Sequence, residues 1–346
     1  MKEAVVSKGT KVEIIDSPIP EPKENQVLIK VIVSGSNPKD WKLPDIRPTV
    51  INQGDDIAGI VEMVGANVFE FKPGDRVAAF HKMMTPHGSY AEYAIAWAHT
   101  TFHIPQATSF EEAATLPLAG MTAAVGLYQR LGLPQPWDPL PEGATHHSIP
   151  LLIYGGASAV GVFAIQFALR SNIHPIICVA GRAKEYVSGF LDASKGDRVI
   201  DYRQSEEDLV AELKAAVPEG QHIRHALDAV SEKGSPQIVA AVMGRGKATF
   251  VLHGQKEIPE EVEQNITMVG SVHQGAKDFG YVYFRYMAKG LAEGWFKGQR
   301  WEVVEGGLGG VQKALTDLKE GRASGMKYVF RIADTEGVER QDKAVL

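Results

Sequence analysis

A single cysteine, Cys178, stands among the 346 residues. One thiol forms no internal disulfide and cannot build a zinc lobe from several thiolates. No apolar run approaches the roughly 18 residues of a membrane-spanning helix, and the opening MKEAVVSKGT lacks the apolar core of a secretory signal, so the expectation is a soluble, cytoplasmic protein. Basic charge is also short: 36 Lys and Arg against 42 Asp and Glu leave a net charge of -6, which argues against nucleic acid or a membrane as an electrostatic partner. Apolar side chains are plentiful, at 44%, and the length suits two domains with a sizeable core.

Up to about residue 105 the chain reads as short Val- and Ile-rich strands: KEAVVS, KVEIID, QVLIKVIV, DIAGIVEMV, GDRVAAF, SYAEYAIA and TFHIP. Turn residues in PKEN and FKPGD separate them, so this part is expected to be a barrel-like β unit. Ser109 followed by Glu112 predicts a capping box at the start of SFEEAATLPLAGMTAAVGLYQRLG, whose apolar run is a helix. Clustered prolines make RLGLPQPWDPLPEGATHHSIP an exposed loop or insertion. Beyond it, the apolar runs LLIY, PIICVAG, RVIDY, HALDAV, ATFVLHG and ITMVGSV alternate with helical stretches such as EEDLVAELKAAV and SPQIVAAVMG. That alternation predicts a parallel sheet covered on both faces, with right-handed crossovers. The tail, VQKALTDLKEG then KYVFRI, adds a helix and a strand that return to the first domain.

The strand LLIY, residues 151 to 154, runs into Gly155 and Gly156, and a helix follows from near Val160 with Ala164, Phe167 and Ala168 spaced to face the sheet. Amides at a helix start attract phosphate oxygens, and two glycines allow close approach, which points to a pyrophosphate. The usual G-x-G-x-x-G is incomplete, because Gly156-Ala157-Ser158-Ala159-Val160-Gly161 has serine where the middle glycine belongs. Taken alone, the stretch leaves open a turn that only packs helix on strand. The acid that binds a ribose 2′-hydroxyl at the end of the second strand is also missing. Arg182, Ala183 and Lys184 follow PIICVAG instead, and two cations beside an open Gly181 suit a 2′-phosphate, so NADPH is expected over NADH. Tyr202, ending RVIDY, lies either beside the same adenosine or in the core.

NPKDWK (37 to 42), GDDIAG (54 to 59), FKPGDRV (71 to 77), GSYAEY (88 to 93), AATLPLAGMTAA (113 to 124), YGGASAVG (154 to 161), VIDYR (199 to 203) and GRASGMKYV (321 to 329) together resemble the medium-chain dehydrogenase/reductases. The resemblance runs in order along nearly the whole chain, in the zinc-free quinone oxidoreductase and enoyl reductase branch. LGLPQP and YGGASAVG are most similar to the fungal ToxD-like group, which includes trans-acting enoyl reductases that serve polyketide synthases. The implied fold is α/β: a GroES-like β-barrel catalytic domain (1 to 118), a doubly wound parallel-sheet Rossmann domain that binds NADPH (119 to 284), and a C-terminal return to the catalytic domain (285 to 346). Zinc members hold their metal with a cysteine and a histidine in the segments corresponding to SGSNPKD and GDDIAG. Asn37 and Asp55 stand there, so no metal is expected. Cys178 sits in an apolar strand and reads as structural, and His99 with His103 in TTFHIP lacks helical ligand spacing.

Without a metal to polarise a carbonyl, hydride transfer favours an α,β-unsaturated carbonyl or a quinone, whose developing charge hydrogen bonds can hold. The resemblance implies Lys42 and Thr122 as catalytic residues. It places Lys39, Asp40 and Trp41 toward the nicotinamide end of the cofactor. Gly155, Gly156 and Ala157 through Val160 go to the pyrophosphate. Ala180, Gly181, Arg182, Ala183, Lys184 and Tyr202 go to the 2′-phosphate, His253 and Gly254 to the nicotinamide ribose, and Lys327 with Tyr328 near the cofactor. The expected activity is NADPH-dependent reduction of an activated C=C bond, with a polyketide synthase as the implied partner and a monomer or homodimer as the form. An NADPH:quinone oxidoreductase and a non-catalytic NADPH-binding partner protein are the alternatives. Ser36-Asn37-Pro38-Lys39 has the S-x-x-K spacing of an acyl-transfer serine, but the proline and strand-like flank speak against it. Aromatics in 280 to 298 fall at helical spacing and read as core.

Overall fold

The structure is a computed structural model that describes residues 1–140, 149–255 and 258–339. The chain divides into two units, one formed by Met1–Leu118 with Gly270–Leu346 and the other by Ala119–Val269.

In the first unit, Gln26–Gly35 is the central strand. It pairs antiparallel with Asp56–Val64, with Tyr93–Trp97 and with the late strand Lys327–Arg331. Arg76–Phe80 extends the sheet beyond Asp56–Val64 and leads to Thr101–His103. Alternate residues along these strands, Val27, Ile29, Val31, Ile57, Val61, Val77 and Ala79, are buried in one core with Tyr90 and Phe330, as a period of two demands. Ser109 caps Phe110–Ala113 by accepting a hydrogen bond from the Glu112 amide. The return half of the capping box is replaced: the Glu112 carboxylate accepts from the Gly298 amide at 2.9 Å.

The second unit is a six-stranded parallel sheet. Its strands run in the spatial order Arg198–Asp201, Ile176–Ala180, Leu151–Tyr154, His225–Asp228, Gly246–Phe250, Val262–Ile266. In sequence terms this is 3-2-1-4-5-6, the order of a dinucleotide-binding sheet. Leu152, Tyr154, Ile177, Val179 and Phe250 pack on Leu209, Leu213, Ile238 and Val242 from the helices Glu206–Ala215 and Ser235–Met243.

Two boundaries differ from the sequence reading. The last parallel strand is Val262–Ile266, not ITMVGSV: its edge position leaves Glu263 and Gln264 exposed, so it carries no apolar run. The chain returns to the first unit at Gly270 rather than at 285, because the helix Lys277–Glu293 already buries Tyr283 and Met287 there and stacks Phe284 on Phe102 at 5.5 Å. The proline-rich stretch has no regular element through residue 140, with Leu131 and Leu133 buried, and residues 141 to 148 of it lie outside the described residues.

Candidate active site

In the second unit the strand Leu151–Tyr154 ends at Gly155, whose φ of +83° suits glycine. The amides of Gly155 and Gly156 both donate to Val179 O, which pins the turn to the neighbouring strand. Ser158, at the place of the missing glycine, is the N-cap of Ala159–Arg170, and its hydroxyl accepts from the Gly161 amide at 3.0 Å. The Val162 amide bonds to Ser158 O, so Ala159 and Val160 are left with amides that find no acceptor within the helix. A Cβ on Gly161 would lie 2.3 Å from Gly155 O, so helix and turn approach as closely as backbone allows. Outward amides on a bare glycine turn fit the diphosphate of a dinucleotide.

At the end of Ile176–Ala180 no carboxylate appears. Arg182 and Lys184 are exposed, and Ala183 is the cap position before Lys184–Ser188. The Tyr202 ring lies against Gly181, where a Cβ would come within 2.5 Å of it, and Tyr202 is 49% exposed. It is therefore not a core residue. Asp201 is clamped by Arg203 through Nε and Nη2 at 2.9 and 2.6 Å, and these bonds hold its carboxyl well below the usual carboxylate range. His253 and Gly254 are exposed in a loop after Gly246–Phe250, and Thr122 is buried in Pro117–Ala124.

The first unit holds a buried polar cluster. Lys39 opens the helix Lys39–Ile46, and its Nζ lies 3.0 Å from Asp40 Oδ1 while also contacting Asp55 Oδ2 and the Gln53 carbonyl. Asp40 is fully buried, and its Oδ2 accepts from the Tyr90 hydroxyl at 2.6 Å and from the Asn37 amide at 2.7 Å. Asp56 accepts from Asn37 Nδ2 at 2.7 Å, from the Leu118 amide at 2.6 Å and from Lys327 Nζ. Burial pushes Asp55 up to about 7, against the opposing pull of Lys39, and burial also raises Asp40. Burial acts to lower Lys39, but Asp40 and Asp55 together raise it. Trp41 packs against the barrel core, and the Lys42 ammonium sits 5.4 Å from its ring centroid. Tyr328 is buried in the barrel core. The sequence reading named Lys39, Asp40 and Lys327 separately; it missed that Tyr90, Gln53 and Asp56 complete their surroundings. The available signal was the acidic pair Asp55-Asp56 entering an otherwise apolar strand.

The two positions where zinc members carry ligands are both committed to protein partners, Asn37 to Asp56 and Asp55 to Lys39. Among the described residues no group of three or more His, Cys, Asp or Glu is arranged to hold a metal ion. His99 Nε2 bonds to Val272 O and His103 Nε2 to Asp75. Cys178 is buried, and burial pushes its thiol up, as befits a packing residue. Ser36 donates to Tyr328 O while the Lys39 ammonium turns to carboxylates, so the S-x-x-K spacing makes no serine-lysine couple.

A parallel dinucleotide sheet set between the two segments of an antiparallel β unit defines a medium-chain dehydrogenase/reductase. Residues 23–106 match the alcohol dehydrogenase GroES-like domain family. Among curated relatives, the trans-enoyl reductase fsr4 of Gibberella fujikuroi is 47% identical over 312 residues, 88% of this chain and 91% of that protein. Among solved structures, CurK enoyl reductase aligns with a TM-score of 0.74 at 19% identity, covering 95% of this chain and 98% of that one. The quinone oxidoreductase of Coxiella burnetii aligns with 0.73 at 23%, covering 96% and 99%. The chain belongs to the medium-chain dehydrogenase/reductase superfamily, in its branch of fungal trans-enoyl reductases. The superfamily uses a nicotinamide dinucleotide.

Proposed function

We propose that this protein is an NADPH-dependent reductase that acts without zinc on the activated C=C bond of an enoyl thioester, serving a polyketide synthase in trans. The observation that carries the choice of acceptor is the 47% identity to a trans-enoyl reductase along most of both chains, since the solved structures resemble enoyl and quinone reductases equally well. The choice of NADPH is supported by the exposed cations Arg182 and Lys184 beside Gly181 and Tyr202, with no carboxylate ending the second strand.

When bound, the reduced nicotinamide supplies a hydride to the β-carbon of the acceptor. The chain's own part begins with grip: the Ala159 and Val160 amides hold the diphosphate, and Gly155 through Ser158 shape its seat. Arg182 and Lys184 neutralise the 2′-phosphate, with Ala180, Gly181, Ala183 and Tyr202 around the adenosine. His253 and Gly254 are assigned to the nicotinamide ribose. Lys42, in the first unit, is assigned to stabilising the enolate or holding the nicotinamide ribose, and Thr122, in the second, to the surroundings of the nicotinamide. Lys39, Asp40 and Trp41 border the nicotinamide end, and Lys327 and Tyr328 support it.

Stopped-flow oxidation of NADPH tests the reading with an enoyl thioester and, separately, a quinone. Turnover of the thioester is expected; turnover of the quinone alone would make the protein a quinone oxidoreductase. Tight NADPH binding without turnover of either would leave it a non-catalytic binding protein.

A further inference from the structure

We propose that Lys39 and Asp55 form the proton-delivering couple of this reductase, with the Asp55 carboxyl giving its proton to the α-carbon of the acceptor. The inference rests on the reduction proposed above and names the group that completes it.

One partly buried ammonium, Lys39, faces two buried carboxyl groups, Asp40 and Asp55. Asp40 also accepts from the Tyr90 hydroxyl and the Asn37 amide, so it is the acid equipped to stay ionised. Among the described residues the Asp55 carboxyl has Lys39 as its only partner, so a proton kept by the cluster resides there. The charges and titratable groups around Asp55 are Lys39, Asp40, Asp56, Tyr90 and His81; two neighbouring carboxyls and burial favour the protonated form, and Lys39 opposes them. Burial pushes His81 down to about 4, so it adds no charge near neutrality. An acid poised near neutral pH is the form general-acid chemistry needs. Gln53 gives a second observation. Its backbone carbonyl holds Lys39, yet its buried side chain engages neither Nε2 nor Oε1. A buried amide left so is costly, and a polar atom of the acceptor beside the couple would offset that cost.

The step balances. As hydride from the reduced nicotinamide forms the C–H bond at the β-carbon, the Asp55 O–H bond breaks and a C–H bond forms at the α-carbon. The acceptor gains two electrons and two hydrogens, the nicotinamide is oxidised by two electrons, and the carboxylate left on Asp55 is held by Lys39 until water returns its proton.

Infrared difference titration of the carboxyl stretch, on protein without cofactor, reads the couple directly. The wild type should show a protonated carboxyl that titrates near neutral pH; Asp55→Asn should lack it, and Lys39→Met should move it to higher pH because the opposing cation is gone. With NADPH and an enoyl thioester, Asp55→Asn should lose about a hundredfold or more in kcat while still binding NADPH. The basic limb of the wild-type kcat profile should shift upward in Lys39→Met. A titrating band that survives Asp55→Asn, no such band in the wild type, or an Asp55→Asn enzyme with the wild-type rate and pH profile overturns the proposal. Wild-type turnover tests the reductase reading by itself, so failure there is distinct from failure of the couple.

Discussion

The ammonium of Lys327 rests on the carboxylate of Asp56 across 271 residues of sequence, and both side chains are buried. The contact joins the late strand Lys327–Arg331 to the start of Asp56–Val64 within the first unit. Lys327→Met should destabilise the protein by about 3–5 kcal/mol, because Asp56 would keep a buried charge without its cation. Adding Asp56→Asn to that variant should recover part of the loss. Urea unfolding of the single and double variants checks this.

Selectivity for the phosphorylated nucleotide should fall with the cations after the second strand. Arg182→Ala and Lys184→Ala should each weaken NADPH binding about tenfold or more while leaving NADH affinity nearly unchanged, since a charge-assisted bond is worth about 1.5–3 kcal/mol. Calorimetry with both nucleotides decides it. Equal weakening of both would show that the residues act on the fold and not on the 2′-phosphate.

Gly161→Ala should separate the helix from the turn. The added methyl would sit 2.3 Å from Gly155 O, which is backbone and cannot swing aside. A loss of about 1–3 kcal/mol in stability is expected from overpacking, together with loss of affinity for NADPH and NADH alike. Thermal unfolding with and without nucleotide measures both.

Two histidines of the first unit should set part of its acid sensitivity. Burial holds His81 down to about 4 and His273 down to about 3, against 6.5 in the unfolded chain. Below pH 6.5 the unfolded chain therefore binds protons that the folded chain does not, and stability falls as pH drops toward 4. Each histidine contributes a slope approaching about 1.4 kcal/mol per pH unit in that window. His273→Phe should flatten the decline between pH 6.5 and 4, as measured by urea unfolding at a series of pH values.

Local chemistry was the legible part of this chain. Leu151–Tyr154, Gly155 and the Ser109 cap are settled by neighbours a few residues away, and the sequence displays them. Asp56–Val64 has the strand length and Val/Ile content that predicted it. The edge strand Val262–Ile266 was not visible, because a polar edge has no apolar run to read. The buried cluster was not visible either. Tyr90 reaches Asp40 across 50 residues, and only the fold can turn Lys39 away from solvent and set it between two acids. Residues carried over by resemblance arrive one at a time, so the sequence could name Lys39 without its relation to Asp55.

The split of the first unit between the two ends of the chain orders its birth. During synthesis, residues 119 to 269 emerge as one uninterrupted segment and can complete their sheet while the ribosome is still translating. The strand Gln26–Gly35, made long before, gains Tyr93–Trp97 early but must wait with the Val33–Gly35 part of that edge unpaired until Lys327–Arg331 leaves the exit tunnel. A truncation that removes only the last few dozen residues would therefore strand an open, aggregation-prone sheet at the opposite end of the polypeptide, while the parallel-sheet unit remained intact.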